Sequence, residues 1–344
     1  MKDELLINNK LRVKESNTNL VISTLKKFHT ATCAEISKNT GLSVATCGNI
    51  LKRLLESGEI LDGGFESNSS GRPAKQYTYN KNFSLAAAVT IHEEQSVRLL
   101  QYAVADLYGD IIEKNFKRHE EITSSAISSL ISELTLKYPS IRAIGFGVPA
   151  IINKDGEIIN SDISELNGAN IYELLKTPDV NIKIAADRSP ALSIYGYHKK
   201  HPELKGTISA AVLCPQVPPV GAGFVINDQI YNGYYNIGGE IGFLAGRFLN
   251  EFFPEAQSFS KALRDTMFTV AAIVSTINPS TMVFMGTDFS KELFGEIQRC
   301  CEELFDPLYM PELVLLNDYS DEYIRGTIQI AIDCLNPKVK LVME

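Results

Sequence analysis

A run of small polar and basic side chains follows Ser43 at the spacing of one helical face. Its members recur at intervals of three or four residues: Thr46, Asn49, Lys52 and Arg53. Short polar side chains near a helix N-terminus can hydrogen-bond base edges, while lysine and arginine further along can neutralise phosphates. The pattern therefore predicts a helix that contacts duplex DNA, although an ordinary amphipathic hairpin on a domain surface would share the periodicity.

Two short helices joined by a tight turn would position this face. Thr32 and Ser43 are candidate N-caps, because their hydroxyls can accept hydrogen bonds from the free N–H groups of a first helical turn. Glu35 follows Thr32 at the spacing of a capping box, and Gly41 can adopt the positive φ that a sharp turn requires. The expected buried face of the second helix comprises Val44, Cys47, Leu51, Leu54 and Leu55.

A polar, glycine-rich segment at 63–73 separates two β-type segments at 59–62 and 76–79. Its composition is unsuited to a packed core, so it should project between two strands. The helix pair and this projection together predict a winged helix-turn-helix.

One arginine of the wing is held between a glycine and a proline. Arg72 follows Gly71 and precedes Pro73, and an arginine presented in this way suits the narrow minor groove of A·T-rich DNA. A solvated hairpin tip with an idle arginine is the alternative. Lys75 is a predicted phosphate contact and Lys81 a weaker one.

Length and composition bound the rest of the chain. Its 344 residues are enough for two or three domains, and 44% hydrophobic and 22% charged residues are ordinary for a globular protein. No apolar run approaches the roughly 20 residues of a membrane span, and the N-terminus has no signal-peptide core. Six scattered cysteines without a CxxC pair argue against disulfides and thiolate zinc, so a cytoplasmic location is expected.

Charge is distributed unevenly along the chain. The formal net charge is −8, yet residues 1–82 hold 12 basic and 8 acidic residues and are therefore +4. The remaining residues hold 21 basic and 33 acidic residues and are therefore −12. A mildly basic unit on an acidic body suits a polyanion-binding module joined to something else.

The periodicity after residue 83 predicts an α/β body of two similar halves. Three strands, a helix and a strand are expected in the first half, at 84–92, 96–106, 110–117, 120–137 and 141–148. A second series is expected at 206–214, 221–226, 229–232, 256–277 and 281–285, followed by elements at 291–304, 313–316 and 322–334. Such a series begins each lobe of an actin-like, ribonuclease-H-like ATPase fold, which predicts two lobes with a cleft between them.

Head and body both resemble the ROK family, which comprises repressors, open reading frames and kinases. The resemblance of the head rests on GLSVATCGNILKRLLESGEI followed by GRPAKQYTYN. Four segments of the body are similar to ROK motifs and occur in the family's order: GFGVPAIINKDGEI, AADRSPALSIYGY, NGYYNIGGEIGF and NPSTMVFMGTDFS. The resemblance implies a winged head at 1–82, a first lobe at 83–187 completed by a closing helix at 322–344, and a second lobe at 188–321.

The chain departs from the ROK kinases at the positions that hold ATP. Where family kinases carry DxGxT, the segment AVTIHEEQS at 88–96 has no glycine and two acids. The second phosphate loop, GTGxGxG in the family, is PQVPPVG at 215–221, and prolines cannot donate N–H groups to phosphate. At the adenine side, Gly286-Thr287 replaces a glycine pair. These departures predict that no ATP cofactor binds and that the protein is not an enzyme.

The family zinc motif is also lost. Phe243 stands where the family has a histidine, and 244–252 contains no cysteine. A tetrahedral zinc site cannot be assembled from these residues, so no metal is expected.

The resemblance implies a sugar site in the cleft. Asp187 stands at the family's catalytic base, Glu240 at a residue that binds sugar hydroxyls, and Asp162 near a sugar-contacting asparagine position. Without ATP, a carboxylate such as that of Asp187 can still accept sugar O–H groups in charge-assisted hydrogen bonds. The alternative is that Asp187 and Glu240 are relics in a cleft that binds nothing.

The resemblance therefore implies a DNA-binding transcriptional regulator, more often a repressor, of carbohydrate-related genes. A homodimer, or a dimer of dimers, would place winged heads on a pseudo-palindromic double-stranded operator. A small carbohydrate-like ligand would change the angle between the lobes and so the spacing of the heads. Two alternatives stay open: a divergent ATP-dependent sugar kinase with Asp187 as base and an accessory head, and a ligand-free dimerisation scaffold.

Overall fold

The N-terminal unit is a winged helix-turn-helix. The structure, a computed structural model, describes residues 2–66, 73–94, 97–177, 182–213, 221–242 and 258–335. The N-terminal elements are α1 (Lys2–Phe28), β1 (Thr30–Thr32), α2 (Cys33–Thr40), α3 (Val44–Ser57), β2 (Ile60–Glu66) and β3 (Ala74–Tyr79). The strands form an antiparallel sheet in the order β1-β3-β2. The predicted Gly71 and Arg72 lie outside the described residues.

The helix pair begins and turns at the residues that the sequence predicts. Thr32 and Glu35 form the capping box: the Glu35 N–H donates to Thr32 Oγ1 at 3.3 Å, and the Thr32 N–H donates to Glu35 Oε2 at 2.7 Å. Ser43 Oγ accepts from the Thr46 N–H at 3.1 Å and caps α3. Gly41 ends α2 with φ of 71°, a conformation that costs glycine little.

The predicted buried face of α3 is partly wrong. Cys47, Leu51 and Leu54 are buried as expected, but Val44 is 58% exposed and Ile50 is buried instead. A helical side chain points toward the N-terminus of its helix, so the first residue of α3 reaches past the core. Leu55, also expected to be buried, is only half-buried.

The first sheet of the body carries the strand order β10-β7-β4-β5-β6. Its elements are β4 (Leu85–Glu94), β5 (Val97–Ala105), β6 (Ile111–His119), α4 (Ser124–Lys137), β7 (Ile141–Val148), the hairpin β8 (Ile151–Ile152) and β9 (Ile158–Ile159), α5 (Ile171–Leu174) and β10 (Lys183–Arg188). The first three strands form an antiparallel meander, and β7 and β10 run parallel to β4. The predicted strand-strand-strand-helix-strand series is therefore present.

The second sheet repeats this topology. Its elements are α6 (Ser189–Lys200), β11 (Ser209–Leu213), β12 (Gly221–Ile226), β13 (Gln229–Ile230), α7 (Ser258–Thr276), β14 (Thr281–Met285), α8 (Lys291–Leu304), β15 (Glu312–Leu316) and α9 (Ser320–Leu335). The order is β13-β12-β11-β14-β15, with β14 and β15 parallel to β11. Two sheets of one topology are the expected ground plan of an actin-like body.

Helices α6 and α9 cross so closely that only glycine fits. A Cβ on Gly326 would lie 1.9 Å from the carbonyl oxygen of Leu192, and one on Gly196 would lie 1.9 Å from that of Glu322. Helix α9 also lies directly on β7, where a Cβ on Gly145 would lie 2.1 Å from the carbonyl oxygen of Thr327. The glycine of the GFGVP segment therefore serves close helix–sheet packing.

The head joins the body through the β5–β6 turn and the end of α9. Leu107 is buried within the head's hydrophobic cluster, and Leu335 packs against that cluster. The Tyr108 ring meets Tyr79 edge-on at a centroid distance of 6.1 Å. Lys81, predicted as a weak phosphate contact, instead binds Asp106 and Asp110 of this turn, each at 2.8 Å.

Helix α1 packs on the head through residues of its C-terminal half. Val21, Ile22 and Leu25 are buried there. Neither α1 nor any other helix in the described ranges is long and apolar enough to cross a bilayer.

Candidate functional site

The polar face of α3 is presented to solvent. Ser43, Asn49, Lys52 and Arg53 are exposed and Thr46 is half-buried. Thr46 Oγ1 lies 2.8 Å from Ser43 Oγ, so these two hydroxyls bond each other, while Ser43 Oγ also caps the helix N-terminus. The α3 face therefore has the polar N-terminal half and basic C-terminal half that base and phosphate contacts require.

The basic residues of this face have only weak partners. Lys52 Nζ lies 4.0 Å from Glu56, and Arg53 donates to Thr18 Oγ1 at 3.3 Å. Exposed ion pairs of this kind contribute little free energy because water screens them. Both cations can therefore exchange these partners for phosphate.

Lys75 at the base of the wing is paired within the head. Its Nζ lies 2.9 Å from Asp62, whose other carboxylate oxygen accepts from the Gly64 N–H at 3.0 Å. Hydrogen bonding from Lys75 lowers the pKa of Asp62, and the same bond raises the pKa of Lys75. Asp62 therefore orients the lysine, which must leave this partner to meet phosphate.

A cavity of about 660 Å³ opens between the two sheets of the body. Strand β10 forms one wall, and the end of β13 with the residues after it forms the facing wall. The hydrogen-bonding side chains of this inter-sheet cavity include Asn153, Lys154, Tyr172, Gln229, Asn232 and Asn236. Helices α6 and α9 close it with Tyr195, Ile330, Asp333 and Cys334.

Asp187 lies in this cavity, at the end of β10. Its Oδ2 accepts from Asn232 Nδ2 at 2.6 Å, and its Oδ1 accepts from the Arg188 N–H at 2.8 Å. Burial raises the pKa of Asp187 despite both bonds. Within the described residues, the buried side-chain oxygen of Asn232 has no hydrogen-bond partner, which leaves an unsatisfied acceptor beside the carboxylate.

Arg188 connects the sheets beside Asp187. Its guanidinium is 3% exposed, donates to Glu240 Oε1 and to the carbonyl oxygen of Gly238, and keeps an Nε that has no partner in the described structure. A buried guanidinium requires such a carboxylate partner. Glu240, predicted to bind sugar hydroxyls, therefore has one carboxylate oxygen engaged in an ion pair.

Asp162 lies close enough to Glu240 for the two carboxylates to interact electrostatically. Burial raises the pKa of Asp162, and the neighbouring carboxylates of Glu240 and Glu93 raise it further. The three predicted ligand residues are therefore divided: Asp187 lines the cavity, whereas Glu240 and Asp162 are not among its lining residues.

The remaining sequence features of the cleft are only partly described. Residues 215–220, Phe243 and 244–252, on which the second phosphate loop and the zinc motif depend, lie outside the described residues. The segment at 88–94, at the position of the first phosphate turn, continues β4 as regular strand. Among the residues that the structure covers, no group of three or more histidine, cysteine or carboxylate side chains could hold a metal ion.

Comparisons with curated proteins point to repressors. No protein-family model matches the chain. The xylose repressor of Bacillus subtilis (strain 168) is 23% identical over 242 residues, which are 67% of this chain and 60% of that repressor. The chain spans 58–60% of the length of the first curated relatives that it matches.

Solved structures match the head and the body together. A ROK family transcriptional regulator, a homologue of the E. coli MLC protein, has a TM-score of 0.66 at 15% identity and covers 94% of this chain and 98% of its own. The fold of this chain is thus similar to that of a ROK family regulator. A ROK family glucokinase from Streptomyces griseus, in complex with glucose and AMPPNP, has a TM-score of 0.54 at 11% identity and covers 73% of this chain and 100% of its own. The fold of the body is thus similar to that of a ROK family glucokinase as well, and the regulator match extends over nearly the whole chain.

Sequence reasoning missed most of the cavity's polar lining. Asn232, Asn236 and Lys154 were not among the predicted ligand residues, because they come from turns that only the tertiary structure brings to β10. Arg188 could have been found, since a charged pair at the end of an otherwise apolar strand is an uncommon pattern.

Proposed function

We propose that this chain is a DNA-binding transcriptional regulator that senses a small carbohydrate and acts as a repressor. The observation that carries the proposal is the exposed face of α3, where Asn49, Lys52 and Arg53 stand on a capped helix-turn-helix. The naming of its curated relatives as xylose repressors supports the same function.

The proposed organisation has three units. The head comprises residues 1–82, the first lobe 83–187 with the closing helix at 322–344, and the second lobe 188–321. Two copies would present two α3 helices to successive major grooves, since helix-turn-helix dimers bind half-sites about one helical turn apart. The proposed operator is therefore a pseudo-palindrome.

A neutral polyhydroxyl ligand suits the inter-sheet cavity. Its described lining includes two basic side chains, Lys154 and Arg188, and two acidic ones, Asp187 and Asp333, and Arg188 is already paired with Glu240. The Asp187 carboxylate and the free side-chain oxygen of Asn232 together accept hydrogen bonds, and sugar hydroxyls donate them. The xylose named for the curated relatives is the first sugar to test.

The end of α9 is the proposed route from ligand to head. Asp333 lines the cavity and accepts from the Tyr195 hydroxyl at 2.5 Å, while Lys183 Nζ donates to the carbonyl oxygen of Cys334 at 3.1 Å. The next residue, Leu335, packs against the head's hydrophobic cluster. A ligand that moves the last turn of α9 would shift the head. The cavity and the head would then be coupled through a rigid helix that has two alternative packing arrangements.

The proposed function does not include kinase activity. Strand β4 continues through 88–94 without the glycine turn that cradles phosphate, and the sequence supplies prolines at the second phosphate loop. Phosphoryl transfer depends on positioning and charge neutralisation, which these segments do not provide.

Two assays on the full-length protein test the proposal. An electrophoretic mobility shift measures binding to duplex DNA, and a thermal-shift assay measures stabilisation by ligands. We expect salt-dependent binding to duplex DNA, loss of that binding on adding a sugar, and stabilisation by that sugar but not by ATP with Mg²⁺. A ligand at 100 times its Kd adds about 2.7 kcal/mol to the free energy of unfolding. Stabilisation by ATP would instead favour a divergent sugar kinase, and absence of DNA binding would exclude the regulator.

A further inference from the structure

The inter-sheet cavity extends along β10. It follows β10 over consecutive lining residues from Ile184 to Asp187, which corresponds to about 10 Å along an extended strand. Its volume of about 660 Å³ is in the range of pockets that hold drug-sized ligands. A single sugar ring against Asp187 would occupy only one end of this length.

Side chains that suit a sugar also stand at the solvent side of the cavity. Lys154 and Tyr172 line it and are exposed. Lys154 Nζ lies 3.4 Å from the centroid of the Tyr234 ring and 5.0 Å from that of Tyr235. These two tyrosines meet edge-on at 4.7 Å between centroids. The lysine thus connects the cavity lining to an aromatic pair.

The tyrosine pair is held at the cavity from both sides. Asn232, two residues before it, bonds Asp187 at 2.6 Å, and Asn236, one residue after it, donates to the carbonyl oxygen of Ile152 at 3.3 Å. Yet Tyr234 is 76% and Tyr235 67% exposed. Large aromatic rings fixed in position and left exposed are characteristic of surfaces that bind something.

We infer that the ligand is a saccharide of at least two units, with an outer subsite formed by Lys154, Tyr172 and Tyr234. This inference rests on the proposed function and deepens it. The inner ring binds at Asp187 and Asn232, where hydroxyls find two acceptors. The outer ring packs its C–H face on an aromatic ring while Lys154 donates to its oxygens. A monosaccharide reaches only the inner subsite.

The test is isothermal titration of the full-length protein with matched pairs of sugars. The probes are xylose against β-1,4-xylobiose and glucose against cellobiose. In at least one pair the disaccharide should bind about tenfold more tightly, a difference of about 1.4 kcal/mol. Tyr234→Ala should remove that advantage and leave the monosaccharide affinity unchanged, whereas Asp187→Asn should weaken both sugars. Tyr309→Ala, an exposed tyrosine of the second sheet's far side, is the matched control.

The outcomes separate this inference from the proposed function. Equal affinity for monosaccharide and disaccharide, or an equal loss of both in Tyr234→Ala, overturns the outer subsite while leaving a sugar-sensing regulator intact. If neither pair binds while duplex DNA does, both the subsite and the carbohydrate ligand are rejected and only the DNA-binding function stands.

Discussion

Asn232 donates from Nδ2 to Oδ2 of Asp187 across 2.6 Å, and this bond joins the two sheets of the body at the cavity. Asp187 ends a strand of the first sheet, while Asn232 follows β13 of the second. A ligand hydroxyl that bonds Asp187 must therefore compete with, or add to, a contact between the sheets. In the proposed regulator, a sugar that bonds Asp187 would act directly on this contact between the sheets.

The first prediction concerns the pH dependence of stability. Burial raises the pKa of Asp187, so the folded protein holds this proton more tightly than the unfolded chain does. The resulting stabilisation is present at acidic pH, below the unfolded pKa of about 4, and is lost as pH rises through the folded pKa. Asp187→Asn cannot titrate, so the stability of the wild type relative to this variant should fall between pH 4 and pH 7.

Urea unfolding at pH 4, 5.5 and 7 measures this difference. Asp155→Asn, which replaces a carboxylate at an exposed turn position, is the matched control variant. If the free energy of unfolding of the wild type, relative to that of Asp187→Asn, instead increases with pH, the assignment of a buried carboxyl in the cavity is contradicted.

The second prediction concerns the crossing of α6 and α9. Gly326→Ala would bring a Cβ to 1.9 Å from the Leu192 carbonyl oxygen, so the two helices must separate. Overpacking of this kind typically costs about 1–3 kcal/mol. Gly295→Ala, in α8 with nothing near its added Cβ, should instead stabilise by about 0.5–1 kcal/mol. Thermal unfolding compares the two, and equal Tm values would show that the crossing tolerates a side chain.

The predicted elements were correct where local chemistry decides the structure. Caps at Thr32 and Ser43 depend on hydroxyls that lie three residues before their N–H donors, and the strand at 141–148 is an apolar run with clear ends. The meander of β4, β5 and β6 follows from alternating residues with short polar turns. The sequence therefore predicts the winged helix-turn-helix head and the order of strands and helices in the body.

The predicted ligand site was incomplete because its partners are distant in sequence. Arg188 pairs with Glu240 across 52 positions, and no pattern in either segment indicates that pairing. The predicted burial of Val44 was wrong for another reason: helical periodicity defines a face of the helix but does not define how far the core extends along that face. The residues of β10 were noted only as part of the AADRSPALSIYGY motif and were not predicted to form a strand. In the structure β10 is an edge strand of the first sheet and forms a wall of the cavity.

The third prediction separates base contacts from phosphate contacts on α3. Asn49→Ala removes a side chain placed to reach base edges, so it should cost about 1–3 kcal/mol on a specific duplex and relax sequence preference. Lys52→Ala should weaken all duplexes similarly and reduce the slope of log K against log salt by about 1. Titrations by fluorescence anisotropy at several salt concentrations measure both. Lys291→Ala, on the body, is the control; if it equals Lys52→Ala, the α3 face is not the binding surface.

The fourth prediction concerns coupling between the cavity and the head. Leu335→Ala removes an apolar contact of α9 with the head cluster and leaves the cavity wall at Asp333 in place. The variant should bind sugar normally but lose much of the sugar's effect on DNA affinity, a coupling that is typically about 1–3 kcal/mol. DNA titrations with and without saturating sugar measure it, with Glu303→Gln on α8 as the control. Full coupling in Leu335→Ala would exclude the end of α9 as the route.

The most direct test of a DNA-binding regulator is selection of bound duplexes from a random library by the full-length protein. We predict enrichment of a pseudo-palindromic site whose half-sites are about 10 base pairs apart, centre to centre. Selection with Asn49→Ala should lose preference at one position of each half-site. A library that stays random after repeated rounds at low salt would contradict the account, because a capped recognition helix with an exposed polar face must then serve another purpose.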